Sequence, residues 1–111
     1  MFVKVATLDQ VPPGTLIEVE HQGELYALCN VGGQLRAVCG ECPHEGGPLG
    51  LGTLEGPLIT CPWHCWQFDS ATGYCIFGDD IGIEIYDVKV EGNDVLVDLR
   101  ADLQSEAPVN A

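Results

Sequence analysis

The sequence predicts an all-β fold, a sandwich or a barrel. Three observations predict it. Short runs of alternating apolar residues recur about every ten residues with turn residues between them. Gly 14 and Pro 7 in 111 residues supply many turns, and no apolar pattern of period 3.6 is long enough for a helix. Two clusters of Cys and His, Cys42-Pro43-His44 and Cys61-Pro62-Trp63-His64, stand on Gly/Pro-rich stretches of the kind that form loops. No internal repeat is visible.

Residues 2–7 alternate enough for a first strand, and Leu8 to Gly14, with Asp9, Pro12 and Pro13, reads as a loop. Residues 15–20 form the next strand, and His21-Gln22-Gly23-Glu24 its turn, which leaves His21 a solvated surface residue. Residues 25–30 and 34–39 flank Gly32-Gly33, a hairpin signal. This hairpin delivers the chain to a first loop, about 40–52. Leu58-Ile59-Thr60 is a short strand into a second loop, about 60–68. Asp69 to Gly73 is a turn before residues 74–77, and Gly78-Asp79-Asp80 another. Residues 83–90 alternate strictly, as a half-buried strand does, and Gly92-Asn93 turns the chain into a last strand, 94–99. Residues 101–111 carry few large apolar side chains and read as a flexible tail.

At this length one domain, residues 1–100, is expected. Four Lys+Arg oppose 17 Asp+Glu, a net charge of −13. That excludes nucleic acid and anionic membranes as partners and suits a basic protein surface. No basic residue lies between Arg36 and Lys89, while Glu41, Glu45, Glu55, Asp69, Asp79, Asp80, Glu84 and Asp87 do. The opening residues read as a strand and not as a leader, and no run approaches the ~20 apolar residues of a membrane span. A cytoplasmic protein is expected, in which the six cysteines bind metal or lie in the core sooner than form disulfides.

Four side chains stand out as ligands: Cys42, His44, Cys61 and His64, in the pattern C-x-H-x16-C-x2-H. Thiolate and neutral imidazole are the side chains that hold zinc or iron. Two thiolates on one iron and two imidazoles on another is one such set. A structural zinc site of Cys39, Cys42, Cys61 and His64 is a second, but it leaves His44 unused. With His21 as the sole further histidine, a mononuclear iron site of two His and a carboxylate has too few ligands. Gly50-Leu51-Gly52 lacks the strand context of a nucleotide-binding loop.

The ligand pattern and its neighbours, Glu45-Gly46-Gly47-Pro48-Leu49, Leu54-Glu55-Gly56 and Phe68 to Gly73, resemble the soluble Rieske ferredoxins, electron carriers of multicomponent bacterial oxygenases. The resemblance runs from about residue 2 to 99. It implies an antiparallel β-sandwich with a small Rieske cluster-binding subdomain. It also implies one [2Fe–2S] cluster per chain, with Cys42 and Cys61 on the buried iron and His44 and His64 on the outer one. Imidazoles donate less charge than thiolates, so the outer iron takes the electron. Gly46, Gly47 and Pro48 would let the loop backbone pass close to the sulfides and hydrogen-bond them.

Relatives in cytochrome complexes join their two loops by a disulfide. The corresponding positions are Gly47 and Trp63, so that bridge is absent. Where those relatives place hydroxyl donors, this chain has Trp66 and Phe68. With fewer donors and an acidic surround, a potential toward the bottom of the roughly −150 to +300 mV Rieske range is expected. Cys65 replaces the glycine common after the second His and is expected to be a small buried thiol, as is Cys29 in its strand.

The function implied is that of a ferredoxin, not itself an enzyme. It would pass one electron at a time from an NAD(P)H-dependent flavoprotein reductase to a terminal oxygenase with a basic docking surface, in aromatic hydrocarbon catabolism. The alternatives are the small subunit of a nitrite reductase, which shares the fold, and the zinc module.

Overall fold

The computed structural model describes residues 2–43, 46–63, 65–76 and 78–98. Expectations for His44, His64, Phe77 and the 101–111 tail fall outside these residues. Among these residues twelve strands run in the order β1 (Phe2–Thr7), β2 (Leu16–His21), β3 (Glu24–Val31), β4 (Gln34–Cys39), β5 (Thr53–Glu55), β6 (Leu58–Thr60), β7 (Gln67–Asp69), β8 (Tyr74–Cys75), β9 (Gly78–Gly82), β10 (Ile85–Tyr86), β11 (Val88–Glu91) and β12 (Asp94–Asp98). The helical turns among the described residues are single 3-10 turns at Leu8–Gln10 and Leu49–Leu51. None is long and apolar enough to cross a membrane.

The strands form three antiparallel sheets, ordered β1-β12-β11, β10-β4-β3-β2 and β5-β6-β7-β8-β9. The middle sheet explains the arrangement. β3 reads Glu-Leu-Tyr-Ala-Leu-Cys-Asn-Val, with five consecutive buried residues. Successive side chains of a strand point to opposite faces, so such a run needs cover on both. Tyr26 and Leu28 enter one core with Ala6, Val11, Ala37, Val95 and Val97 of the first sheet's side. Ala27 and Cys29 enter a second core with Val38, Cys42, Leu49, Ile59, Cys61, Phe68 and Cys75. Burying Leu28 alone is worth about 1.5–3 kcal/mol.

The third sheet lies within an excursion from the sandwich. β4 pairs with β10 through Val38↔Ile85 and Ala37↔Tyr86, so everything between them leaves and returns at one place. The Cys39 N–H donates to the Glu84 carbonyl at 2.9 Å and closes the neck. A part-buried polar tie reinforces it: Arg36 Nη1 donates to Ser70 Oγ at 2.9 Å. The expected sandwich with a ligand-bearing subdomain is therefore what forms.

Some local expectations are corrected. Residues 83–90 are not one strand. β10 belongs to the middle sheet and β11 to the first, with the Asp87 carbonyl between them accepting from the Asp98 N–H at 2.9 Å. A corner that switches sheets keeps the alternation of side chains, so period alone does not reveal it. Gly78-Asp79-Asp80 is not a turn but the start of β9, an edge strand. Thr53–Glu55 is a strand that the sequence reading passed over. His21 ends β2 half-buried, and the turn is Gln22-Gly23, both at positive φ (53° and 84°) as a tight hairpin turn requires.

Candidate metal centre

The first ligand loop leaves β4 at Gly40 and is laid along the middle sheet. The Gly40 N–H donates to the Leu25 carbonyl and the Leu49 N–H to the Gly40 carbonyl, each at 2.9 Å. Leu49 is fully buried and pins the loop to the second core. Gly50 lies so close to β2 that a Cβ there would stand 2.6 Å from the Glu18 Cα. The second loop connects β6 to β7 across the adjoining sheet.

The two loops close in the same way. The Gly46 N–H donates to the Cys42 carbonyl at 2.7 Å, and the Cys65 N–H to the Cys61 carbonyl at 3.0 Å. The Cys42 N–H donates to the Gly47 carbonyl and the Cys61 N–H to the Trp66 carbonyl, both at 2.8 Å. Each cysteine thus heads a ring closed by the residues four and five positions on. The residue four on is left-handed in both, Gly46 at φ 76° and Cys65 at φ 59°.

The rings hold their cysteines inward. Cys42 is 2% exposed and Cys61 1%, and both lie in the second core. Gly47 brings the loops into contact: a Cβ there would stand 2.8 Å from Cys61 Sγ and 3.2 Å from Cγ and Cδ2 of Trp63. Two sheltered sulfur donors at the meeting of two loops fit an iron–sulfur centre, whose clusters are held by cysteine sulfurs and tuned by how far the surrounding shell admits water. His44 and His64, the expected imidazole donors, lie outside the described residues. Among the described residues no three Cys, His, Asp or Glu side chains gather as a metal site. Cys39, Cys42 and Cys61 are all described, so this counts against the zinc trio. The Cys39 thiol instead points at the Glu41 carbonyl, with S···O 3.8 Å.

Of the glycines expected to face the sulfides, Gly46 uses its N–H to close its own ring. Trp66 is half-buried and Phe68 wholly buried. Cys29 is buried as expected, but Cys65 is exposed, because the left-handed backbone of its ring directs its side chain outward. Leu51, 63% exposed at the end of the first loop, is a surface feature that the sequence reading did not single out. Its position between Gly50 and Gly52 within a ligand loop was the available signal.

A family model described as the Rieske [2Fe-2S] domain matches residues 1–82. The biphenyl dioxygenase ferredoxin subunit of Pseudomonas sp. (strain KKS102) is 33% identical over 99 residues, spanning 87% of this chain and 91% of its own. The ferredoxin of carbazole 1,9a-dioxygenase from Nocardioides aromaticivorans IC177 superposes with TM-score 0.79 at 31% identity, covering 87% of this chain and 96% of its own. A ferredoxin in a complex of reduced oxygenase and oxidized ferredoxin of carbazole 1,9a-dioxygenase matches at TM-score 0.79 and 31% identity, over 86% and 91% of the two chains. A putative nitrite reductase small subunit, at 22% identity and TM-score 0.74 over 87% and 97%, shares the fold alone.

Proposed function

Because the chain belongs to the Rieske [2Fe–2S] domain family, we propose that it carries single electrons from an NAD(P)H-dependent flavoprotein reductase to the terminal oxygenase of an aromatic-ring dioxygenase system. It would do so in the cytoplasm and without a catalytic site of its own. Cys42, His44, Cys61 and His64 would hold the cluster, which supplies a one-electron couple. The observation that carries the reading is the pair of matched rings presenting two buried thiols where the loops touch at Gly47. The chain's own residues do the rest. The second core keeps water from Cys42 and Cys61, and the acidic surround steers a basic partner toward the loops. The ferredoxin–oxygenase complex of the carbazole system supports an oxygenase as the acceptor.

The test is an electron paramagnetic resonance spectrum of the dithionite-reduced protein with metals counted on the same sample. A rhombic Rieske-type signal and about two irons per chain are expected. His64→Ala should abolish that signal. A colourless, silent protein with one zinc would overturn the reading, and a His64→Ala protein with an unchanged signal would remove His64 from the ligand set.

A further inference from the structure

The switch of sheets at Asp87 leaves a gap beside β4. β10 accompanies β4 through Ile85 and Tyr86, and the chain then passes to β11 in the first sheet. Gln34, Leu35 and Arg36 are left with β3 on one side and an open cleft of about 270 Å³ on the other. The cleft lies at the neck, away from the ligand loops. Arg36 and Asp87 line it from the sandwich and Ser70 and Ala71 from the subdomain. Leu35, Ile85 and Val88 give it an apolar wall.

Arg36 differs from the other cations of the described residues. Lys4 pairs with Asp94 and Lys89 with Glu91, each at 3.2 Å. Arg36 has no carboxylate of the described residues within ion-pair distance. Its Nη1 donates to Ser70 Oγ at 2.9 Å and its Nη2 to Gln34 Oε1 at 3.4 Å, both neutral oxygens. A chain with 17 acidic residues against four basic ones thus leaves this guanidinium uncompensated. Arg36 is half-buried and Ser70 is 2% exposed, so the charge is partly withdrawn from water, where an unpaired ion is costly. A guanidinium carries five N–H donors in a planar fork, and the rest of this fork is uncommitted.

We propose that this cleft is a binding site for a small monocarboxylate with an apolar body, its carboxylate on the Arg36 fork and its body against Leu35, Ile85 and Val88. A planar carboxylate matches the fork in shape and charge. The volume suits a ligand at the small end of the range for such sites. Asp87 sets the charge that is accepted. The pairing of Val38 with Ile85 and Ala37 with Tyr86 brings position 87 opposite Arg36, and Asp87 is exposed at the rim. A second negative charge on the ligand would meet that carboxylate, so a monoanion is favoured over sulfate or phosphate. The ligand would touch both sides of the neck and so fasten the subdomain to the sandwich. The site is independent of the electron-carrier reading.

The probe is benzoate, titrated into the full-length protein as isolated and followed by amide chemical shifts, with acetate and sulfate titrated in parallel. Saturable shifts are expected around Arg36, Ala71 and Tyr86. Benzoate should bind about tenfold tighter than acetate, through its apolar body, and about tenfold tighter than sulfate, through the charge at Asp87. Arg36→Gln should weaken benzoate binding about tenfold or more. That variant also loses the tie to Ser70, so a second one is needed. Ala71→Leu, at an exposed position, keeps the tie and fills the cleft, and should abolish binding. Asp87→Asn should tighten benzoate about threefold and let sulfate compete. No saturation of these shifts by about 10 mM benzoate would overturn the site. So would benzoate binding that survives either Arg36→Gln or Ala71→Leu. Sulfate binding tighter than benzoate would overturn the carboxylate class, and an unchanged preference in Asp87→Asn would overturn the role of Asp87.

Discussion

Gly47→Ala is the perturbation that most directly tests how the loops are held together. Gly47 does not adopt a positive φ, so alanine meets no backbone strain there and the whole cost is steric. Non-bonded heavy atoms rest about 3.5–4.0 Å apart. The new methyl would stand 2.8 Å from Cys61 Sγ and 3.2 Å from two atoms of the Trp63 ring. The Trp63 ring would need to give by only a few tenths of an ångström. Cys61 is 1% exposed, packed in the second core and fixed by its hydrogen-bonded ring, so it cannot yield. Overpacking of this kind costs about 1–3 kcal/mol, and the gain from a stiffer unfolded chain returns about 0.4–1 kcal/mol. The net loss is about 1–2 kcal/mol, which lowers the thermal midpoint of a domain of this size by about 5–15 °C. Gly46→Ala is the control. A Cβ there meets nothing within 4 Å, but φ is 76°, so it should cost about 1 kcal/mol of strain without touching Cys61. The assay is the thermal midpoint of the loaded protein, followed by visible circular dichroism, together with its paramagnetic spectrum. Gly47→Ala should alter both, and Gly46→Ala only the midpoint. A Gly47→Ala protein that melts within about 2 °C of the parent with an unchanged spectrum would refute the contact between the loops.

Cys65→Gly should stabilise the protein by about 1 kcal/mol, because it relieves a left-handed residue that carries a Cβ. The denaturant midpoint measures this, and a lower midpoint would mean that the exposed thiol makes a contact worth more than the strain. Stripping the iron should loosen the subdomain and spare the sandwich. Cys42 and Cys61 belong to the second core, whereas the first core holds no residue of either loop. Amide exchange should therefore quicken across about residues 40–84 and stay slow in the β1–β12 and β11–β12 ladders. Equal loss of protection in both would show that the neck does not separate them.

What the sequence discloses is governed by whether side chains or backbone partners decide the structure. β1, β4 and β6 were legible to the residue because apolar alternation and Gly turns mark them. β3 was read as a strand over 25–30 but not as buried on both faces, although its apolar run from Leu25 to Cys29 carries that signal. The switch of sheets at Asp87 was not, since alternation continues through it while the hydrogen-bonding partner changes from β4 to β12. Nor was the edge strand β9, whose Gly and Asp composition suits a turn equally well.

The same distinction explains why the matched loops escaped notice. In the sequence the two histidines stand two and three residues after their cysteines, and the left-handed position is filled by Gly46 in one loop and Cys65 in the other. Nothing in those residues announces a repeat. The repeat lies in the hydrogen bonds, which run from the fourth residue's N–H to the cysteine carbonyl and from the cysteine N–H to the fifth residue's carbonyl. Main-chain groups are common to all non-proline residues, so the ring tolerates different side chains at each place. It is less tolerant at its left-handed position, where glycine is at ease and cysteine is strained. The expected burial of Cys65 therefore failed for a reason that lies in the chain's conformation: polarity and size argued for the core, but the ring fixes φ first and sends the thiol to the surface. In this protein the placing of the sulfur ligands is thus a property of two backbone rings, and Gly47 and Trp63 are where one ring is held against the other.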